Sequence, residues 1–308
     1  MQATSVSVKN LSKTYSLAFK KFQALKNLNL EIQKNEIYGF LGPNGAGKTT
    51  TLKILVGVLR PTSGEFEIFG SKTLDEETKK KIGFLPENPS FLKNLRAFEL
   101  LKMMGYFFNY SKEKTKKRID ELLDLVGLTE FRNSRLSTYS RGMTQRIGIA
   151  QALFHDPELL ILDEPMTGLD PLGRKLLYDL ILKLRDEEKT IILATHDLED
   201  AESLCDRVAI IDRGELIDEI NIKKLYGESL KSYDVLFSWE KEMQIENVKI
   251  LKSGDLFKAE IPSEESLWKF FEIVKRKGGK IINVKPFSGS VLQKIYLEKV
   301  KSSDVIFH

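Results

Sequence analysis

The stretch Gly42-Pro43-Asn44-Gly45-Ala46-Gly47-Lys48-Thr49-Thr50 fits the pattern G-x-x-x-x-G-K-[ST], a loop built to hold phosphate. Gly42, Gly45 and Gly47 let the backbone turn tightly and present its N–H groups to an anion. Lys48 places a point charge for the β- and γ-phosphates, and the Thr49 hydroxyl is a ligand for Mg²⁺. Outward from the loop the context agrees. Ile37–Leu41 is a short apolar run that predicts a buried strand. Leu52, Ile54, Leu55, Val58 and Leu59 follow at near-helical spacing, so a helix is predicted from Lys48, its N-terminal dipole aimed at the phosphate.

Further along, Leu159–Leu162 is an unbroken apolar run ending in Asp163-Glu164, Thr190–Ala194 is another ending in Thr195-His196, and Val208–Ile211 is a third. Fully apolar strands alternating with helices predict a parallel sheet covered on both faces. Ligands of such sheets bind at the carboxyl ends of the strands, where Asp163, Glu164 and His196 stand. Asp163 is the predicted holder of Mg²⁺, Glu164 the group that orients or deprotonates an attacking water, and His196 a contact to the γ-phosphate or that water. His155 and His308 lack such a setting and are read as structural or exposed.

Tyr139-Ser140-Arg141-Gly142-Met143 opens a helix predicted over Arg141–Leu153, with Ser140 as N-cap. The Ser140 hydroxyl, the Gly142 N–H and the helix dipole make a second phosphate-binding end. Two such ends meet on one nucleotide only if a second subunit supplies one of them.

The remainder of the chain bounds these readings. It has 308 residues, 42% apolar and 30% charged, enough for a sizeable core and too polar for an integral membrane protein. The longest apolar stretch, around Glu99–Phe108, is broken by Lys102, and a span needs about 18 apolar residues. The N-terminus has no basic start followed by an apolar run, so no signal peptide is expected. The single Cys205 excludes an internal disulfide and fits a reducing cytoplasm, as a small buried helix residue. A net charge of +4, with its basic runs Lys79–Lys81 and Lys112–Arg118 interleaved with acids, predicts solvated helix faces and no specific nucleic acid.

Strands are predicted at Ser5–Val8, Ala24–Ile32 and Glu65–Phe69, and residues 75–130 are read as mostly helical. Tyr226–Ser232 reads as a linker. Beyond it come strands Tyr233–Trp239 and Asp255–Ile261, a helix capped by Ser263, a strand Lys280–Val284 and a final helix Val291–Val300. Trp239 and Trp268 are assigned to core or interface.

The stretches 42–50, 139–146 and 159–171, with the Ala194-Thr195-His196 switch, resemble in order and spacing the ATP-binding subunits of ABC transporters, over roughly residues 5–222. The resemblance implies a P-loop NTPase of the ABC type, an α/β fold. It has a parallel core sheet, an antiparallel β subdomain and a helical subdomain at about 88–155, within an ATPase domain at 1–225. A small C-terminal α+β domain follows at 226–308. The same resemblance implies binding of ATP and Mg²⁺ along Gly42–Thr50. Two such domains dimerise head to tail, the loop of one facing Ser140 and Gly142 of the other. It adds Tyr15 as the aromatic that stacks on adenine, Glu87 where most members carry a glutamine sensing Mg²⁺ and water, and Asp170 in the loop that couples the two composite sites. The catalytic set it implies is Glu164, His196, Lys48 and Glu87.

Two departures stand out. Tyr139, Arg141 and Met143 replace the usual Leu, Gly and Gln of the signature, and Glu87 brings an extra carboxylate to the metal. Both resemble the bacterial branch serving drug, polysaccharide, sodium-extrusion, gliding and copper-assembly exporters. The apolar residues of Pro89–Phe108 exceed one helix face, and by resemblance this region receives a separate multi-span permease. That places the chain in the cytoplasm on the inner face of the cell membrane, with a second ATPase subunit, most simply a homodimer. A soluble ABC ATPase acting on DNA or ribosomes is the competing reading. Repair-type members insert heptad coiled coils and ribosome-type members carry two cassettes, and the chain has one loop and no heptad run between 51 and 139.

Overall fold

The computed structural model describes residues 3–17, 20–229, 233–239, 248–254, 256–286, 292–293, 295–297 and 299. They fall into two compact units that divide at Ile220 and Asn221.

In the first unit, β1 (Thr4–Leu17) and β2 (Lys20–Gln33) form an antiparallel pair, and β3 (Ile37–Leu41) runs into the 42–47 loop and α1 (Lys48–Leu55). β4 (Ser63–Ile68) returns to pair with β1. Then follow α2 (Glu76–Lys79), β5 (Ile82–Leu85), α3 (Ala97–Phe107), α4 (Lys112–Leu125) and α5 (Arg141–Ala152). The chain re-enters the core with β6 (Leu159–Asp163), α6 (Pro171–Asp186), β7 (Thr190–Thr195), α7 (Leu198–Leu204), β8 (Arg207–Asp212) and β9 (Glu215–Asn221).

The central sheet has the order β5-β6-β7-β3-β8-β9, and every residue of β3, β6 and β7 is buried. This is the outcome expected of continuous apolar strands in a parallel sheet covered on both faces. The order matters for function. β6, β7 and β3 are neighbours, so the residues after Leu41, Leu162 and Thr195 emerge side by side, although Leu41 and Thr195 lie 154 positions apart in the chain. The antiparallel sheet β2-β1-β4 lies against this core through Leu11, Leu25, Leu28 and Ile32, which cluster with Phe40, Leu52 and Ile161.

The second unit contains α8 (Ile222–Ser229), β10 (Tyr233–Ser238), β11 (Lys249–Ser253), β12 (Leu256–Ile261), α9 (Glu264–Arg276) and β13 (Lys280–Pro286). Its sheet has the order β11-β12-β10-β13 with antiparallel pairings. Leu267, Phe270 and Val274 of α9 pack on Val235, Phe237, Phe257 and Ile261. Ser263 caps α9 by accepting from the Ser266 N–H at 3.1 Å. Trp239 packs against this core, whereas Trp268 is 61% exposed on the outer side of α9.

The structure revises several sequence expectations. Ile82–Leu85, read as part of a helical stretch, is the strand β5, made one by its parallel pairing with β6. Four apolar residues are too few to separate strand from helix by period alone. β1 extends from Thr4 to Leu17, far past Val8, because irregular register shifts against β2 break its alternation. Tyr226–Ser229, read as linker, is the last turn of α8, and Leu230–Ser232 lie outside the described residues. β9 and β11 had no counterpart in the sequence reading. Asp255 and His308, with Val291, Lys294, Glu298 and Val300 of the predicted last helix, also lie outside the described residues.

Candidate nucleotide site

The loop and α1 are shaped for an anion. Gly45 and Gly47 hold φ of 84° and 112°, a region open to glycine and costly for other residues. A Cβ on Gly47 would lie 2.8 Å from the Ala24 carbonyl, so no larger residue fits there. Gly47 is also the N-cap of α1 and offers no capping side chain, and the first turn carries no acid. The first N–H groups of α1 therefore have neither a side-chain cap nor an acid within their own turn, which suits them to an incoming phosphate.

The side chains around the loop turn inward. Lys48 is buried, with Nζ donating to the Gly42 carbonyl at 2.7 Å and lying 3.4 Å from Glu164 Oε1. The Thr49 hydroxyl donates to Asp163 Oδ1 at 3.1 Å. Burial, with the charges of Glu87 and Glu164 added, pushes the Asp163 carboxyl up to about 6, against the Thr49 hydrogen bond and the Lys48 charge. A carboxylate so disfavoured as a lone anion is a natural partner for a cation.

Glu164 follows β6 with φ at 50°, a left-handed conformation that costs a non-glycine residue energy. Its backbone N–H continues the sheet by donating to Ala194 O at 2.9 Å. Oε2 takes the Thr167 hydroxyl at 3.2 Å and lies 2.8 Å from His196 Nδ1. Oε1 is buried and accepts no hydrogen bond. Beyond the Lys48 ammonium at 3.4 Å this buried carboxylate oxygen lacks a donor, which a water molecule would supply. The His196 ring meets this carboxylate, and its side chain is half exposed.

A cavity of about 250 Å³ opens over the loop, lined by Tyr15, Pro43–Thr50, Glu87 and Glu164, and also by Phe22 and Ala24. Tyr15 Oη lies 3.4 Å from Thr50 Oγ1. Phe22 is 56% exposed and sits opposite Tyr15 in the β1–β2 register, giving the cavity a second aromatic wall. The sequence reading missed Phe22, which only the hairpin pairing brings there, and Thr167, whose signal was its place three residues after Glu164.

Ser140 and Gly142 do not line this cavity. Ser140 is exposed and caps α5, accepting from the Met143 N–H at 3.2 Å. A Cβ on Gly142 would lie 3.3 Å from Leu169, so the segment rests on the loop that leads to Asp170. Asp170 is exposed and caps α6 by accepting from the Gly173 N–H at 2.7 Å.

Other sequence assignments also have places in the fold. His155 Nε2 bonds the Ile82 carbonyl at 3.0 Å, the ring stacks on Phe108, and burial lowers its pKa. Cys205 is buried just past the end of α7, its sulfur against Gly39, and burial raises its thiol pKa. A second cavity of about 300 Å³ lies between Phe84–Pro86, Phe91, Met104, Gly148 and His155. Tyr106 and Phe107 of α3 are 68% and 74% exposed. No helix among the described residues is long and apolar enough to cross a membrane.

Comparison with known proteins agrees with this geometry. The ABC transporter family model matches residues 25–167. An uncharacterised ABC transporter ATP-binding protein of Nostoc sp. is 36% identical over 98% of this chain and 92% of its own length. The bacitracin transport ATP-binding protein of Bacillus licheniformis is 42% identical over 74% of each chain. Among solved structures, a dimeric ATP-binding cassette in a post-hydrolysis state with ADP and Pi superposes with a TM-score of 0.65. It is 33% identical and covers 70% of this chain and 98% of its own. Sequence, fold and site thus agree, and the chain belongs to the ABC transporter ATP-binding proteins, as the subunit that binds and hydrolyses ATP.

Proposed function

We propose that this subunit closes head to tail with a second copy around Mg-ATP and drives a separate permease in the export direction. The observation that carries this is the one-sidedness of the site. The loop cavity is lined by Lys48, Thr49 and Glu164, backed by Asp163 on Thr49 and by His196 on Glu164, while Ser140 and Gly142 do not line it. A second subunit supplies the missing wall. The relative solved with ADP and Pi is a dimer, which supports this arrangement.

In this reading the N–H groups of Gly45–Thr50 and the Lys48 ammonium hold the β- and γ-phosphates, and Tyr15 and Phe22 take the adenine. Thr49, Asp163 and Glu87 would hold Mg²⁺, which would supply charge neutralisation for the phosphates. Lys48, now turned onto the Gly42 carbonyl and Glu164, exchanges those contacts for phosphate and frees Glu164. Glu164 then accepts the proton of the attacking water, and His196 holds the Glu164 carboxylate in register.

The second cavity and the exposed aromatics of α3 are the proposed permease surface, which would hold the chain at the inner face of the membrane. A transport role is supported by the likeness to the bacitracin transport protein, and the export direction by the resemblance of Glu87 and the 139–143 segment to the exporter-serving branch. The arrangement is tested by sedimentation of Glu164→Gln with Mg-ATP. An ATP-dependent dimer is expected, and a protein that stays monomeric with saturating nucleotide would overturn it. Co-purification with a multi-span membrane protein tests the permease, and ribosome co-sedimentation would favour the competing soluble role.

A further inference from the structure

The mechanism uses His196 but leaves open what holds it. The residue after it, Asp197, is the N-cap of α7, with Oδ1 accepting from the Glu199 N–H at 2.9 Å. Its own N–H donates to Thr195 Oγ1 at 3.0 Å. The other carboxylate oxygen, Oδ2, takes Arg174 Nη2 at 2.9 Å, and the same nitrogen reaches Asp200 Oδ1 one turn further along α7. Arg174 comes from α6, where its backbone N–H donates to the Asp170 carbonyl at 2.9 Å in the first turn. One turn on, Tyr178 Oη donates to the Ser203 carbonyl at 2.8 Å, a second tie between α6 and α7.

We propose that Arg174 is a positioning residue for hydrolysis, clamping Asp197 and Asp200 so that His196 stays on Glu164, and linking that contact to the helix that Asp170 caps.

Three observations carry this. The clamp joins residues 23 and 26 positions apart, and its near end adjoins His196 directly. It grips both the cap and the next turn of a seven-residue helix, so the orientation of that short helix depends on it. Its carboxylates are unequal: Asp200 is the more buried, with 11% of its side chain exposed against 32% for Asp197. Burial and then the Asp197 charge raise the Asp200 pKa, with Arg174 opposing. At Asp197 burial raises the pKa, but the Arg174 hydrogen bond and charge, together with the Glu199 and Asp200 backbone N–H groups, outweigh it and lower it. Arg174 itself is 39% exposed, and ion pairs of that exposure add little to stability. What the clamp supplies is geometry, and a displacement near 1 Å at a reacting centre costs on the order of 100-fold in rate.

The inference rests on the reading of Glu164 and His196 as the hydrolytic pair, so the test measures both. In the full-length protein, Arg174→Met is expected to lower kcat by roughly 30- to 100-fold while KM for ATP stays within about twofold. In a His196→Ala background the same substitution is expected to cost less than about threefold in single-turnover hydrolysis, because a residue acting through His196 has nothing left to position. A full additive loss in that background, or a loss confined to KM, overturns the proposal. Glu164→Gln is assayed in parallel. If it keeps turnover, the hydrolytic pair falls and the clamp's role with it. If it is dead while Arg174→Met turns over at the parent rate, the clamp's role alone falls. Should Arg174→Met lose binding of a non-hydrolysable ATP analogue, Asp200→Asn, which removes the buried end of the clamp, carries the test with the same expected outcomes.

Discussion

Two helices of this chain begin in phosphate-binding sequence, and they differ in how complete their surroundings are. α1 starts at a glycine that no other residue can replace without a clash, has no side-chain cap, and is walled by buried Lys48, Asp163 and Glu164 from its own chain. α5 starts at an exposed serine that caps it, beside a glycine of ordinary conformation. The first end is finished for a ligand within one chain, and the second is finished only as a helix. Whatever Ser140 and Gly142 do for nucleotide must therefore depend on a surface that this chain does not bring to them.

That contrast is broken most directly at Glu164. Replacing it with Gln removes the base and leaves the cradle, so turnover is expected to fall by about 10²- to 10⁴-fold with ATP affinity within a few-fold. Phosphate release near the parent rate would end the role assigned here. Next comes Ser140→Arg, expected to suppress steady-state hydrolysis by on the order of 100-fold while the monomer binds nucleotide normally. Mixed with Lys48→Ala chains, it should regain activity, because one composite site of each mixed dimer keeps an intact loop and an intact Ser140. Mixed dimers that stay inactive would place the second helix end outside the site.

The glycines sharpen the difference further. Gly47→Ala forces a Cβ onto the Ala24 carbonyl at a φ of 112°, and a cost of roughly 1–3 kcal/mol is expected, read as a lowered unfolding midpoint. Gly142→Ala has 3.3 Å to its nearest neighbour, the flexible end of Leu169, so the fold should keep its midpoint. Loss of hydrolysis in that stable variant would locate the crowding in the partner subunit. A modest stability effect is expected from Ser140→Ala, which removes the α5 cap and should cost about 1 kcal/mol in denaturant titration.

Most of the chemistry-bearing residues were legible without coordinates. The loop, the acids that end β6 and the histidine that follows β7 are contiguous motifs, and the apolar strands before them announce a buried parallel sheet. The caps at Ser140 and Ser263 were also legible, since capping is a matter of a few adjacent residues. Phe22 was not, because it reaches the cavity only through its pairing with Tyr15 across a hairpin of irregular register. The contact of His196 with Glu164 belongs to the same class. So does the Arg174 clamp, whose three residues carry no shared local pattern.

The sequence by itself determined that this chain carries a phosphate loop, strand-end acids and a second helix end, because each is written within a run of neighbouring residues whose backbone and side-chain chemistry act locally. The tertiary structure decided that β6, β7 and β3 lie side by side, that Ile82–Leu85 is a strand, and that Lys48 pairs with Glu164. Those facts depend on long-range pairing and burial, which are settled by what the rest of the chain packs against each segment.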